Sequence, residues 1–361
     1  MPYQTSVAFR AGDEGYASFR IPACVRAADR ALLAFAEGRV RSSSDSGDID
    51  LVCKRSTDGG RTWGPLQVVD SNGTGTSGNP SPVVRADGRV LLVFVRTAAS
   101  ATEQRIRRGQ VSAADGRRVW VRHSDDAGES WSPPREITAS VKRPEWRWYA
   151  TTPGHAIALT RPPYAGRLVV PANHSIPPAG DGDGTEGKYD GGHDLLSDDG
   201  GESWRTGYLD DVPDGRVNVN ESTAAELPDG RIYFNTRNDS LSLAHRAHAW
   251  SSDGGAALDR PFAPAAALTA PVVQGSVLQL RGPDLLLFSA PADPQVRKRM
   301  TVRASADGGA RWRTAHTVDE RPAAYSDLVR ADETAVGLLY ETGAEGPYET
   351  LAFRRIPTEE L

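Results

Sequence analysis

Apolar and polar residues alternate in short runs along nearly the whole chain, and a period of two marks half-buried β-strands. Positions 3–10, 17–26, 31–38 and 49–55 read as strands in this way, with 66–70 after them. The same grammar returns at 81–85, 89–96 and 118–123, then at 154–160, 167–174 and the run ending at Leu196. It continues at 222–227, 231–237 and 244–250, and at 275–280, 284–290 and 300–304. A last set occupies 325–330, 335–341 and 348–354. Helical periodicity is weak everywhere, and 101–111 is its one modest candidate.

Most of these sets run into the same short turn. Ser56-Thr57-Asp58-Gly59-Gly60-Arg61-Thr62-Trp63 is repeated as Ser124-Asp125-Asp126-Ala127-Gly128-Glu129-Ser130-Trp131, and again from Ser197 to Trp204 and from Ser305 to Trp312. Ser251-Ser252-Asp253-Gly254-Gly255 is a fifth copy without its Trp, and the copies start 68, 73, 54 and 54 residues apart. The pattern predicts a β-turn in which Asp accepts from nearby backbone N–H groups, Gly takes positive φ and Trp plugs the turn against the sheet. Repetition makes it a repeat architecture of six units of roughly 60 residues, the period of a propeller blade with long loops. The expected fold is all-β: a six-bladed β-propeller with four-stranded antiparallel blades, occupying 1–361 as one domain. The sixth set has only three strands, so the N-terminal strand 3–10 is expected to supply its outer strand and close the ring.

Composition narrows this picture. The 36 Gly and 25 Pro suit many short strands joined by turns. A net charge of -5 with no dense basic block gives no reason to expect nucleic acid as a partner. No apolar run approaches the roughly 20 residues of a membrane helix, and Met1-Pro2-Tyr3-Gln4 lacks a basic start and apolar core, so the expected compartment is cytoplasmic unless a leader was removed. Cys24 and Cys53 lie in apolar strands and read as buried free thiols. The seven His show no metal-ligand spacing, so neither metal nor other cofactor is expected.

In a propeller the first strand of each blade lines the central channel, so the residues at those strand starts converge on one face. They are Phe19-Arg20-Ile21-Pro22, Asn79-Pro80, Tyr149 to His155, Asn220-Glu221, Gln274 and Ala324-Tyr325. Phe19-Arg20-Ile21-Pro22 followed by Asp-box turns, Asn220-Glu221, Asn235-Thr236-Arg237 and Ala324-Tyr325-Ser326-Asp327-Leu328 resembles the sialidase (neuraminidase) family over nearly the whole chain.

That resemblance implies a retaining exo-glycosidase that releases terminal α-ketosidically linked sialic acid, with a sialylated glycan as partner; a monomer is the expected state. Three Arg hold the substrate carboxylate in this family, suited to it by a permanent charge and bidentate geometry. Arg20 and Arg237 match two of them. Arg297, 28 residues before Tyr325, is preferred as the third, with Arg299 as the fallback and Arg303 assigned to its sheet. Tyr325 matches the nucleophile, a role the general chemistry of glycosidases assigns to Tyr in sialidases, and Glu221 its base; Glu226 lies at the far end of the same strand. Of the loop carboxylates Asp45, Asp48 and Asp50, Asp45 best matches the acid/base. Arg39 resembles a further sugar contact, Asn79 stands where many relatives carry Asp near the amide substituent, and Trp146, Trp148 and Tyr149 could stack on sugar or cap the loop. Three alternatives stay open: the same mechanism on a non-N-acetylated nonulosonic or other ulosonic acid, a trans-glycosylating variant, and a non-catalytic glycan-binding Asp-box propeller.

Overall fold

The computed structural model describes residues 4–177, 190–211, 217–239 and 245–361. In chain order the strands are β1 (Thr5–Arg10), β2 (Ser18–Arg26), β3 (Leu32–Arg39), β4 (Ile49–Ser56), β5 (Gln67–Asp70), β6 (Thr76–Val84), β7 (Val90–Thr97), β8 (Arg118–Ser124) and β9 (Arg135–Glu136). They continue with β10 (Tyr149–Thr151), β11 (Ile157–Ala158), β12 (Leu168–Ser175), β13 (Asp190–Ser197), β14 (Arg205–Asp210), β15 (Val219–Glu226), β16 (Ile232–Asn238), β17 (His245–Ser251) and β18 (Ala263–Thr269). The last are β19 (Ser276–Leu280), β20 (Leu285–Pro291), β21 (Lys298–Ser305), β22 (Arg313–Arg330), β23 (Ala335–Thr342) and β24 (Thr350–Pro357). The helical candidate shrinks to α1 (Glu103–Arg107), whose N-cap Thr102 accepts from the Arg105 N–H.

Strands pair with their sequence neighbours in up-and-down order. β15 to β18 form one antiparallel sheet, whereas β2-β3-β4 and β6-β7-β8-β9 are joined by a single parallel bridge between Ile49 and Thr76, with β5 beside β4. β22 is 18 residues long and serves twice: its first half pairs with β21 and its second half with β23. β1 pairs antiparallel with β24, as the unpaired N-terminal strand required. The expected strand 154–160 is not continuous. On that side of β12 the pairing is split between β10 and β11, because the intervening backbone turns aside and the His155 N–H and ring bind Asp327.

Each Asp-box turn joins a third strand to a fourth and fastens one sheet segment to its neighbour. In the first, the Ser56 hydroxyl donates to Asp58 and accepts from the Gly60 N–H, while Asp58 accepts from the Arg61 and Thr62 N–H groups. Asp126 is held at about 2 by the Ser130 hydroxyl first and Asp199 at about 2 by that of Ser203 first, so these carboxylates stay ionised. Gly60 has φ 85° and lies so close to the Phe353 ring that a Cβ would fall 2.1 Å from it; Gly128, Gly201 and Gly309 abut Leu33, Leu91 and Tyr233 in the same way. Every one of these contacts is to the preceding segment, and the first box closes onto β24.

The apolar faces of the segments interdigitate. Phe9, Phe19, Leu32, Val52, Leu339 and Phe353 form one core cluster, and Phe35, Leu51, Leu92 and Phe94 form the next. Each fully covered side chain contributes about 1.5–3 kcal/mol. At the centre sits one buried carboxylate, Asp327, which accepts from the Cys24 N–H, the His155 N–H and the Ser276 hydroxyl at 2.7–2.9 Å, tying β2, β19 and β22 to the segment between β10 and β11. Cys24 and Cys53 are buried free thiols.

Candidate active site

Four inner strands break register by one residue at the same place. The extra residue falls between Arg20 and Ala23 in β2, Gly78 and Ser81 in β6, Val219 and Ser222 in β15, and Ala323 and Ser326 in β22. A bulge of this kind bends the strand and re-aims side chains. Here the bulges carry Ile21, Asn79, Glu221 and Tyr325, and all four residues line one polar cavity with Arg20, Arg39, Asp45, Arg237 and Arg297. Ile21 and Asn79 hold φ of 60° and 55°, a strained conformation for a β-branched residue such as Ile and a sign that local geometry is fixed by its surroundings.

At the floor, the Tyr325 hydroxyl donates to Glu221 Oε1 at 2.6 Å. Arg237 Nη1 lies 3.0 Å from Glu221 Oε2 and donates to the Tyr325 hydroxyl oxygen at 3.2 Å, so one guanidinium bridges both groups. Burial and the Glu221 carboxylate push the Tyr325 phenol well above its ordinary value, against the pull of Arg237 and Arg20. Burial also raises Glu221, against Arg237 and the phenol hydrogen bond. Tyr325 is therefore a neutral phenol with an acceptor already on its proton.

The cations are held from behind. Arg20 Nε donates to Glu341 Oε1 at 2.7 Å, and the same carboxylate accepts from the Ile21 and Tyr325 N–H groups at 3.0 Å. Burial alone would lower Arg20; Glu341 outweighs it and the guanidinium is raised. Arg237 Nε is held by Asp239 at 2.7 Å. Arg297 donates to the Tyr348 hydroxyl and the Val272 carbonyl, both at 2.9 Å, and faces the Tyr325 ring at 5.9 Å. Arg299 bonds the Ala292 carbonyl outside the cavity, and Arg303 bonds the Thr269 carbonyl in the sheet. Arg20, Arg237 and Arg297 thus converge.

Asp45 is on the loop after β3, its carboxylate 2.7 Å from Arg39 Nη1 and 3.8 Å from Arg20 Nη1. Desolvation would raise it, but Arg39 and then Arg20 override this and hold it below the usual carboxylate value. Arg39 is itself clamped by Glu37, whose other oxygen accepts from the Asn79 N–H. Asp50 instead accepts from the Tyr16 hydroxyl, and neither it nor Asp48 lines the cavity. Glu226, at the far end of β15, accepts from Thr160 and Arg161 N–H groups and pairs with Arg281.

Tyr149 is a correction. It is fully buried and packs on Trp146 and His193, away from the cavity, because alternation along β10 turns it inward; Trp146 stacks on His174 at 3.8 Å. Of Trp146, Trp148 and Tyr149, Trp148 is the one that lines the cavity. Over its face lies Arg117, 3.9 Å from the ring centroid, donating to Asn79 Oδ1 at 2.8 Å. Burial outweighs Glu37 and Glu103 and pushes Arg117 down to about 10.

Arg117, Glu37, Glu341 and Tyr348 escape the sequence reading, yet two had a signal. Glu37 and Glu341 end apolar second strands, and antiparallel pairing returns the end of a second strand to the start of the first: Arg20 faces Glu37, and Ala323 faces Thr342.

A family model described as a BNR repeat-like domain matches residues 30–338. The exo-alpha-sialidase of Aspergillus fumigatus is 30% identical over 374 residues, spanning 94% of this chain and 84% of that protein. The sialidase of Micromonospora viridifaciens is 32% identical over 357 residues, spanning 92% of this chain and 51% of that one, so the chain covers about half of that relative. Among solved structures, a Hadza microbial sialidase is similar with a TM-score of 0.81 at 26% identity, covering 99% of this chain and 69% of that chain. Its Asp-box turns and its match to these relatives over most of its length place this chain in the sialidase family of BNR-repeat proteins.

Proposed function

We propose that the chain is a retaining exo-α-sialidase, built as one six-bladed propeller domain, that works through a covalent intermediate on Tyr325. The observation that carries the chemistry is the short Tyr325–Glu221 hydrogen bond bridged by Arg237. Support for six blades comes from the sheets, which divide into six up-and-down sets, and from the inner strands, where β2 touches β6 and β22 while β19 touches β15 and β22.

A ketosidic sialic acid carries a carboxylate on its anomeric carbon. Arg20, Arg237 and Arg297 supply fixed cations for that group, already oriented by Glu341, Asp239 and Tyr348. A carboxylate nucleophile would be repelled by it, whereas a neutral phenol approaches freely. Tyr325 Oη attacks the anomeric carbon as Glu221 takes the phenolic proton, and Asp45 protonates the departing glycosidic oxygen. In the second half Asp45, now a base, takes a proton from water. The water oxygen bonds to the anomeric carbon, and Tyr325 leaves, recovering its proton from Glu221. Two displacements on opposite faces retain configuration. In the free protein Asp45 is an anion paired with Arg39. A bound carboxylate occupying Arg20 relieves part of the pull on Asp45 and favours its protonation.

The test is release of 4-methylumbelliferone from an α-ketosidic nonulosonic acid conjugate. Wild-type protein is expected to turn it over and Tyr325→Phe to lose about a thousandfold or more in kcat with an unchanged circular dichroism spectrum. Full activity in Tyr325→Phe would remove the mechanism.

A further inference from the structure

Behind the cavity lies a buried charge that nothing in the mechanism uses. Arg246 in β17 is 1% exposed and does not line the cavity. Among the described residues it forms no ion pair: Nε donates to Asn235 Oδ1 at 2.8 Å, Nη1 to the Val273 carbonyl at 2.5 Å, and Nη2 is buried without a partner. Burial pushes the guanidinium down to about 9, against the pull of Glu221, so at neutral pH it is still a cation. An unpaired cation held this deep is costly, and groups perturbed in this way gather at functional sites.

The two hydrogen bonds of Arg246 reach two parts of the site. Asn235 and Arg237 share β16, and the pairing of Thr236 with Ala247 brings Arg246 beside Arg237 on the neighbouring strand. Val273 belongs to the connection between β18 and β19; it is fully buried and packs with Ile21, Ala324 and Tyr325. The carbonyl one residue earlier, that of Val272, accepts from Arg297 Nη2 at 2.9 Å. Two arginines thus grip consecutive carbonyls, Arg246 the one of the buried residue and Arg297 the one beside it. A shift of this backbone would move Arg297 and loosen the packing on Tyr325 together.

The charge acts on Glu221. Around that carboxylate stand Arg237 of β16, Asp239 just past it and Tyr325 of β22, with Arg20 and Arg297 over the Tyr325 ring at 5.4 and 5.9 Å. Arg246 adds a further cation, and its attraction to Glu221 is reciprocal, so it favours the ionised form that accepts the phenolic proton. We infer, on the basis of the hydrolase reading above, that Arg246 is a positioning residue of the active site: its fork fixes the Val272-Val273 backbone that seats Tyr325 and Arg297, and its charge keeps Glu221 ionised as the base.

Two conservative variants separate fork from charge. Arg246→Lys keeps the charge but cannot bridge Asn235 and Val273; Arg246→Gln removes the charge and keeps one donor. On a 4-methylumbelliferyl α-ketoside of a nonulosonic acid, Arg246→Lys is expected to lose about tenfold in kcat/KM, with the limb of the pH profile that Glu221 sets left in place. Arg246→Gln is expected to lose at least as much and to move that limb to higher pH by about half a unit to one unit. Arg303→Met is the control. It removes a buried arginine that bonds the Thr269 carbonyl outside the cavity, and should leave the profile unmoved and kcat/KM within about twofold. Both limbs unmoved in Arg246→Gln, or kcat/KM within about twofold of wild type in Arg246→Lys, would overturn the inference, and Arg246→Lys decides the fork even if Arg246→Gln folds poorly. A second measurement needs no turnover: carbon NMR titration of the Glu221 carboxyl, assigned by its loss in Glu221→Gln, should show the same upward shift in Arg246→Gln and none in Arg246→Lys, and identical titration in wild type and both variants would overturn the role of the charge. If wild type cleaves no ketoside, the hydrolase reading falls while this titration still decides how Arg246 acts on Glu221.

Discussion

Glu341 offers the sharpest perturbation because a single buried carboxylate positions both Arg20 and Tyr325, the proposed carboxylate-binding and nucleophilic groups. It accepts from Arg20 Nε, the Ile21 N–H and the Tyr325 N–H at 2.7–3.0 Å, joining residues more than 300 positions apart in the chain. Glu341→Gln keeps the size and one acceptor, but turns the oxygen that faces the Tyr325 N–H into a donor or flips to offend Arg20. Breaking a buried ion pair from one side costs about 3–5 kcal/mol. Unfolding entropy of about 2.1 cal/mol/K per residue, over 361 residues, comes to about 0.76 kcal/mol/K. The unfolding midpoint should therefore fall by about 4–7 °C in a calorimetric scan. Misplacing Arg20 and the Tyr325 backbone should also lower kcat/KM by about a hundredfold. Glu333→Gln is the control: its carboxylate is 79% exposed and meets Arg26 and Arg330 at 3.5 and 3.2 Å, so the midpoint should move by about 1 °C or less. A Glu341→Gln protein with wild-type midpoint and activity would refute the reasoning.

Three further outcomes are expected. The buried Asp327 carboxylate overcomes burial and raises His155 above its ordinary value, so its contribution is full below pH of about 6.5 and is lost as pH rises through the folded value; the midpoint of wild type should fall from pH 6 to pH 8.5 more steeply than that of His155→Gln, and parallel curves would contradict this. Arg39→Gln removes the closest cation from Asp45, so the limb of the kcat/KM profile that Asp45 sets should move to higher pH, and a profile with both limbs unmoved would show that Asp45 is not the acid. Gly60→Ala puts a methyl onto Phe353 at a φ of 85° and should cost about 1–3 kcal/mol in urea unfolding while leaving kcat/KM within about twofold, since the turn is remote from the cavity; a stability equal to wild type would contradict the stapling role of the turns.

Strand positions and turns were readable because alternation and the Ser-x-Asp-x-Gly pattern are local properties of the chain. Tyr325, Glu221, Arg20 and Arg237 were readable because they flank those strands in the order of a known motif. The bulges were not: an extra residue in β2, β6, β15 or β22 leaves no mark until the partner strand fixes the register. Tyr149 was misplaced for the same reason, since alternation states that a side chain is on one face but not which face meets the cavity. Arg117 lies in a loop before β8, and only the tertiary fold brings it over Trp148 and beside Asn79, 38 residues away.

The central claim is that Tyr325 forms a bond to the anomeric carbon. Its most direct test is incubation with a 2,3-difluoro nonulosonic acid, whose C3 fluorine slows both displacements while fluoride leaves readily from C2, followed by peptide mass spectrometry. The account predicts a stoichiometric adduct on the peptide containing Tyr325, absent in Tyr325→Phe and slowed in Glu221→Gln. An adduct on Glu221 or Asp45 instead, or time-dependent inactivation that persists in Tyr325→Phe, would contradict it.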